Sequence, residues 1–232
     1  VNSNDRALEV SSLTKIYGEG HTAVTAVSDA DLTLDHNEFV ALLGPSGSGK
    51  TTLISMIGAL LTPTEGTVRV AGVDLSSLSQ RERTQFRANR IGFVFQSFNL
   101  VPFLTARENL TVMSTVADAS KEEVDERADQ LLEELGLAGR RDNLPAQLSG
   151  GERQRVAIGR SLVTDPALIL VDEPTASLDT ELGTAVVKML ASEIKQRGKA
   201  GIMVTHDLRM VDYTDRTVEI VDGKLQHAPR AA

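Results

Sequence analysis

The sequence contains no cysteine and no tryptophan, and aromatic residues make up only 3% of it. Without cysteine there are no disulfide staples and no thiolate metal centres, so an apolar core has to hold the fold. Long apolar runs are missing as well. The longest, 39–43 and 53–61 (the second broken by Ser55 and Gly58), fall far short of the roughly 20 residues that cross a bilayer. Residues 1–6 are polar and carry no signal-peptide apolar region, so the chain is expected in the cytoplasm without direct membrane insertion. Positive charge is also in deficit. With 24 Lys plus Arg against 32 Asp plus Glu, the net charge is −8, which disfavours broad binding to nucleic-acid backbones and leaves room only for a local anion site. What remains is 232 residues, 41% hydrophobic and 24% charged. That composition excludes disordered, collagen-like and mucin-like chains and suffices for one large domain with a buried core.

Hydrophobic patterning divides the chain unevenly. Alternation over 7–16 and 24–34 predicts two strands, and 38–43 predicts a short strand that runs into a glycine-rich turn and a helix over 49–60. Further strands are expected at 66–70 and 91–95, with a charged helix at 79–89 between them. From 105 to 136 the character is helical, with Ser120 three residues before Glu123 as a capping box. Nine acids against four bases between Asp118 and Asp142 mark a solvated helical lobe. A helix at 150–163, a strand at 168–171, a helix at 181–197, a strand at 201–205 and a strand pair about Asp222-Gly223 complete the pattern. Strands alternating with helices predict an α/β fold whose parallel sheet is covered on both faces, with a helical insertion.

Three features carry chemistry. Gly44-Pro45-Ser46-Gly47-Ser48-Gly49-Lys50-Thr51, followed by Thr52, fits G-x-x-x-x-G-K-S/T between a predicted strand and a predicted helix. Glycines let successive backbone N–H groups converge, the helix N-terminus adds its dipole, Lys50 reaches the outer phosphates and the Thr51 hydroxyl ligates Mg²⁺. The competing reading is a plain strand-to-helix turn. Second, the apolar strand 168–171 runs into Asp172-Glu173-Pro174, placing two carboxylates at the carboxyl edge of a parallel sheet, where ligands bind. Alternation along a strand turns the two apart, so Asp172 is assigned to Mg²⁺ and Glu173 to polarising water as general base. His206, after strand 201–205, reaches the same edge, although a lone histidine there is more often a capping or core residue. His21, His36 and His227 are expected at the surface. Third, Leu148-Ser149-Gly150-Gly151-Glu152 opens another helix, whose free N–H groups and Ser149 hydroxyl make a second anion site.

One nucleotide cannot easily use both glycine turns of one chain, and at this point LSGGERQRVAIGR resembles the signature of ABC transporter ATP-binding subunits. The resemblance runs from about residue 7 to 225, with every motif in order. It implies a P-loop NTPase (RecA-like) parallel-sheet core, an N-terminal antiparallel β subdomain and an α-helical subdomain at about 97–163, all in one ATPase domain over 1–232. It implies Mg·ATP as ligand and a homodimer paired head to tail, each signature turn closing on the other copy's ATP. By the same resemblance Tyr17 stacks on adenine, Gln96 touches Mg²⁺ and water, Ser177-Leu178-Asp179 signals across the dimer, and His206 is the switch histidine. A membrane permease subunit is expected to dock near Phe98, Leu100, Val101 and Phe103, because exposed apolar clusters mark such contacts. The competing reading places some of these side chains in the helical core. The chain would then sit on the inner face of the cell membrane.

GFVFQSFNLVPFLTARENL resembles the subfamily serving lipoprotein release, macrolide or peptide efflux, cell-division signalling and heme export, whose permeases are of four-helix type with an extracytoplasmic domain. The tail GIMVTHDLRMVDYTDRTVEIVDGK and the loop EPTASLD lean towards heme export. Rival classes are soluble ABC ATPases of DNA repair or translation, and P-loop small-molecule kinases. The first needs long coiled coils or a second cassette, whereas only 97 residues separate Lys50 from Leu148. The kinase would not need the signature turn.

Overall fold

The computed structural model describes residues 6–176 and 178–227, so the polar tail at 1–5 and Ser177 lie outside it, as does the side chain of His227. Strands β1 (Arg6–Tyr17) and β2 (Val24–Asp35) pair antiparallel, burying Leu8, Val10, Leu32 and Leu34 on one face as their alternation dictates. The apolar strand β3 (Phe39–Leu43) delivers the chain to α1 (Lys50–Ile57). Helix α1 is shorter than its apolar pattern suggests. The Phe93 ring occupies the space that a side chain at Gly58 would need, and Ala59 turns to φ +57°, ending the helix there.

Next come β4 (Glu65–Val70), the two-residue β5 (Val73–Asp74), which periodicity does not reveal, α2 (Gln80–Arg90) and β6 (Ile91–Val94). The region expected to be helical from 105 to 136 is broken into α3 (Ala106–Thr111), a 3₁₀ turn (Val112–Thr115) and α4 (Lys121–Glu134). The break lies where Asn89 of α2 clasps Asp118, donating Nδ2 to the carboxylate at 2.8 Å and accepting the Asp118 N–H at 2.7 Å. The rest is α5 (Gly150–Leu162), β7 (Leu168–Asp172), α6 (Thr180–Gln196), β8 (Ala200–Val204), a 3₁₀ helix (Leu208–Tyr213), β9 (Arg216–Val221) and β10 (Lys224–His227).

Two sheets result: an antiparallel one ordered β2-β1-β4-β5 and a six-stranded one ordered β10-β9-β3-β8-β7-β6. Within the second, β9, β3, β8, β7 and β6 run parallel and only β10 is antiparallel. Its inner strands β3, β8 and β7 are buried on both faces, whereas β9 and β10 at one edge expose Glu219, Lys224 and Gln226, and β7 shows how the burial is shared. Leu168 and Leu170 pack with α1 and the antiparallel sheet, while Ile169 and Val171 pack with α4, α5 and α6. This is why these strands read as continuous apolar runs rather than alternations. No helix among the described residues is long and apolar enough to cross a membrane.

Candidate active site

The carboxyl ends of β3, β8, β7 and β6 open onto one cavity of about 500 Å³. Residues 44–52 follow β3, Asp172 ends β7 with Glu173 next, His206 lies two residues past β8, and Gln96 two past β6. The structure thus brings together Lys50, Thr51, Gln96, Asp172, Glu173 and His206, residues far apart in the sequence. Leu42 hydrogen-bonded beside Val204, and Val204 beside Asp172, set the strand ends in register.

The phosphate loop has the local geometry an anion requires. Gly49 sits at φ +106° with the Ala26 carbonyl where a Cβ would be, so glycine is obligatory there. Having no side chain, Gly49 cannot cap α1. Helices α2, α3, α4, α5 and α6 each begin with a Ser, Thr or Asp whose side chain accepts a first-turn N–H. In α1 those donors are left to a ligand. The Lys50 ammonium donates to the Gly44 and Pro45 carbonyls at 2.7 and 2.8 Å, folded back over the loop it would leave for a phosphate. The buried Ser48 hydroxyl has no partner. These free donors fit a polyphosphate.

The acidic side of the cavity departs from expectation in one respect. Strand alternation would turn Asp172 and Glu173 to opposite faces, yet both line the cavity, because Glu173 leaves the strand at φ +49°. That left-handed turn is held by the Glu173 N–H donating to the Val204 carbonyl at 3.0 Å. It costs a non-glycine residue on the order of 1 kcal/mol. Glu173 Oε2 lies 2.7 Å from His206 Nδ1, and the glutamate is 16% exposed against 71% for the histidine. Burial, and then the neighbouring Glu173 carboxylate, raise Asp172 above the usual carboxylate range, against an opposing pull from Lys50. An acid held at such a disadvantage suits a cation. Among the described residues no three His, Asp or Glu side chains cluster as a ready metal site.

Other predicted residues lie elsewhere. Tyr17 does not line the cavity. It ends β1, is 44% exposed, and has the Lys15 ammonium 5.4 Å from its ring centre. Ser149 caps α5, accepting the Glu152 N–H at 3.2 Å while Glu152 accepts the Ser149 N–H at 2.7 Å. This box satisfies the third donor of the turn and leaves those of Gly150 and Gly151 free. Asp179 caps α6 through the Leu182 N–H at 2.9 Å. His21 and His36 are exposed as expected.

Phe103 is 76% exposed, whereas Leu100 packs against the helical core and Phe98 and Val101 are half-buried. Periodicity gave no sign of what shapes this segment: Asn109, fully buried on α3, donates to the carbonyls of Val101, Leu104 and Thr105 and accepts the Val101 N–H. The sequence carries no local trace of it, since Asn109 stands beside Arg107 and Glu108 in a mostly polar helix and reads as one more solvated residue.

Fold and cavity together define a P-loop nucleotide-binding domain. Residues 27–176 match the ABC transporter family. The putative hemin import ATP-binding protein HrtA of Staphylococcus haemolyticus is 43% identical over 95% of this chain and 99% of its own length. Its counterpart in Staphylococcus aureus strain MRSA252 is 44% identical over 94% and 99%. A dimeric ATP-binding cassette in a post-hydrolysis state bound to ADP and Pi superposes with a TM-score of 0.85 at 36% identity, covering 96% of this chain and 98% of that one. CbiO1 from Clostridium perfringens, part of an ABC transporter complex, also gives 0.85, at 28% identity over 96% and 87%. The chain belongs to the ABC transporter family and is an ATP-binding, ATP-hydrolysing subunit of it.

Proposed function

We propose that this chain powers a hemin transporter, working as an exporter beneath a membrane permease of the four-helix type. Hemin comes from the names of its relatives, which describe import. The outward direction rests on the resemblance of residues 92–110 and 201–224 to exporters. Two copies would pair on the inner face of the cell membrane. Residues 44–52 cradle the phosphates, and Tyr17 offers its free ring face to adenine. Mg²⁺, held by Thr51, Gln96 and Asp172, would neutralise phosphate charge. Glu173 accepts the proton of the attacking water, and His206, hydrogen-bonded to it, fixes its orientation. Ser149, Gly150 and Gly151 contact the nucleotide of the second copy, and Asp179 adjoins it. The segment 97–163 forms the helical subdomain, with the permease seated near Phe98, Leu100, Val101 and Phe103. Pairing around ATP supplies contacts only in the closed state, which is what shifts a conformational equilibrium.

The convergence of Lys50, Asp172, Glu173 and His206 in one cavity carries the ATP-hydrolysis part of this reading, and the hemin part is carried by the relatives' names alone. The test is capture of tagged Glu173→Gln protein with Mg·ATP from detergent-solubilised native membranes, followed by ATPase assays of the wild-type complex with added hemin. Recovery of a polytopic permease and a hemin-stimulated rate are expected. A permease stimulated by lipoprotein or macrolide and indifferent to hemin would overturn the cargo. Recovery of only repair or ribosomal proteins, with the permease present in the extract, would overturn the transporter reading.

A further inference from the structure

The loop after Gln96 forms a wall between two grooves. On one side lies a largely apolar cavity of about 430 Å³ lined by Phe93, Phe95, Met113 and Val116. On the other lies a cavity of about 480 Å³ lined by Phe98, Leu100, Pro145 and Arg153. Asn99 borders both, and Gln96 borders the second groove and the phosphate cavity alike. Two arginines of α5 hold this wall. Arg160 donates Nη1 to the Asn99 carbonyl at 2.6 Å and Nη2 to the Phe98 carbonyl at 2.9 Å. The Arg153 guanidinium carbon lies 5.3 Å from the centre of the Phe98 ring. Seven residues apart, the two share one face of the helix that begins at the signature turn.

The chemistry of the clasp is unusual. Burial lowers Arg160 from its ordinary value, and among the described residues no carboxylate lies within ion-pairing distance of it. Its charge is compensated by neutral backbone carbonyls of a loop more than 60 positions away in the chain. A desolvated cation bound this way makes strong, charge-assisted hydrogen bonds and pays heavily if they are lost. Asn99 meets it at φ +49°, a conformation asparagine tolerates better than most residues. The clasp therefore joins the signature helix to a loop that touches both grooves and adjoins the phosphate cavity.

We propose that Arg160, supported by Arg153, is a positioning residue that makes the 97–104 loop and the signature helix move as one body, so that ATP in the phosphate cavity and a partner in the grooves sense each other through α5. This rests on the ATPase reading of the phosphate cavity.

The test is amide hydrogen exchange on the full chain in the Glu173→Gln background, at a concentration where light scattering shows single chains, with and without Mg·ATP. In that parent, Mg·ATP is expected to alter exchange in 97–104 and in 150–155 together. With Arg160→Met added, ATP affinity and the response of 97–104 should persist, while the response of 150–155 falls about tenfold, the size expected for losing a charged hydrogen bond. Arg160→Lys, which keeps the charge and loses the fork, should recover part of it. A purely structural strut would change thermal stability and leave the linked response intact, and that result would overturn the proposal. So would a parent in which 150–155 ignores Mg·ATP while 97–104 responds. If Arg160→Met does not accumulate as folded protein, Arg153→Met at the half-buried end of the clasp is judged by the same criterion. A parent that fails to bind Mg·ATP would instead refute the ATPase reading.

Discussion

At the scale of single residues, the site depends on a backbone conformation that side-chain lists do not show. Glu173 belongs to the cavity only because its φ of +49° turns it back towards Asp172 and His206. The two carboxylates were legible in the sequence, since an apolar run ending in two acids after a phosphate loop has few other meanings, whereas His206 took its role only from the family resemblance. The relative orientation of the carboxylates was not legible, because strand alternation stops applying at the residue that leaves the strand. Glu173→Gln keeps the hydrogen-bonding geometry towards His206 and removes the base. Single-turnover hydrolysis should therefore fall about 10²- to 10⁴-fold with ATP binding retained. A wild-type rate under conditions where chemistry limits turnover would show that another group takes the proton.

At the scale of elements, the helices divide by how their first turns are satisfied. Ser120 of α4 and Ser149 of α5 form the same capping box, with Glu123 and Glu152 accepting the serine N–H. Those backbone hydrogen bonds are the largest cause holding both glutamates below the usual carboxylate range. A depressed folded value means that this contribution is fully present above the unfolded pKa of about 4.3 and is lost as pH falls through the lower folded values. Ser120→Ala and Ser149→Ala should each cost about 1 kcal/mol in urea denaturation at neutral pH. Only Ser149→Ala should also slow ATP hydrolysis by the assembled transporter. Equal ATPase activity in the two variants would remove Ser149 from the nucleotide site. The cap at 120 could be read from the sequence because a capping box is a local pattern, whereas the same Ser-x-x-Glu spacing at 149 and 152 lies inside a turn that reads as an anion site. The early end of α1 and the break after α3 could not be read, because they follow from Phe93 against Gly58 and Asn89 against Asp118, contacts made across the fold, and β5, at two residues, is too short for alternation to show.

At the scale of the whole molecule, each chain carries two glycine turns with free donors, the phosphate loop at α1 and the signature turn at α5, and only the first lines the cavity with Glu173. On the proposed function a second copy completes each site, and closed twofold symmetry gives two such sites per pair. Lys50→Met disables the phosphate loop and leaves the signature turn. Gly150→Asp does the reverse, placing a carboxylate where a phosphate would sit. A Cβ at 150 meets only Leu178 at an ordinary 3.4 Å, whereas one at 151 would meet Leu182 at 2.6 Å, so 150 is the position that tolerates the change. The decisive measurement is the ATPase rate of the two variants separately and mixed before assembly with the permease. Each alone should be inactive, and an equal mixture should recover about a quarter of the wild-type rate, because half the pairs then hold one intact composite site of two. A mixture no more active than its components would contradict the shared site on which the account rests.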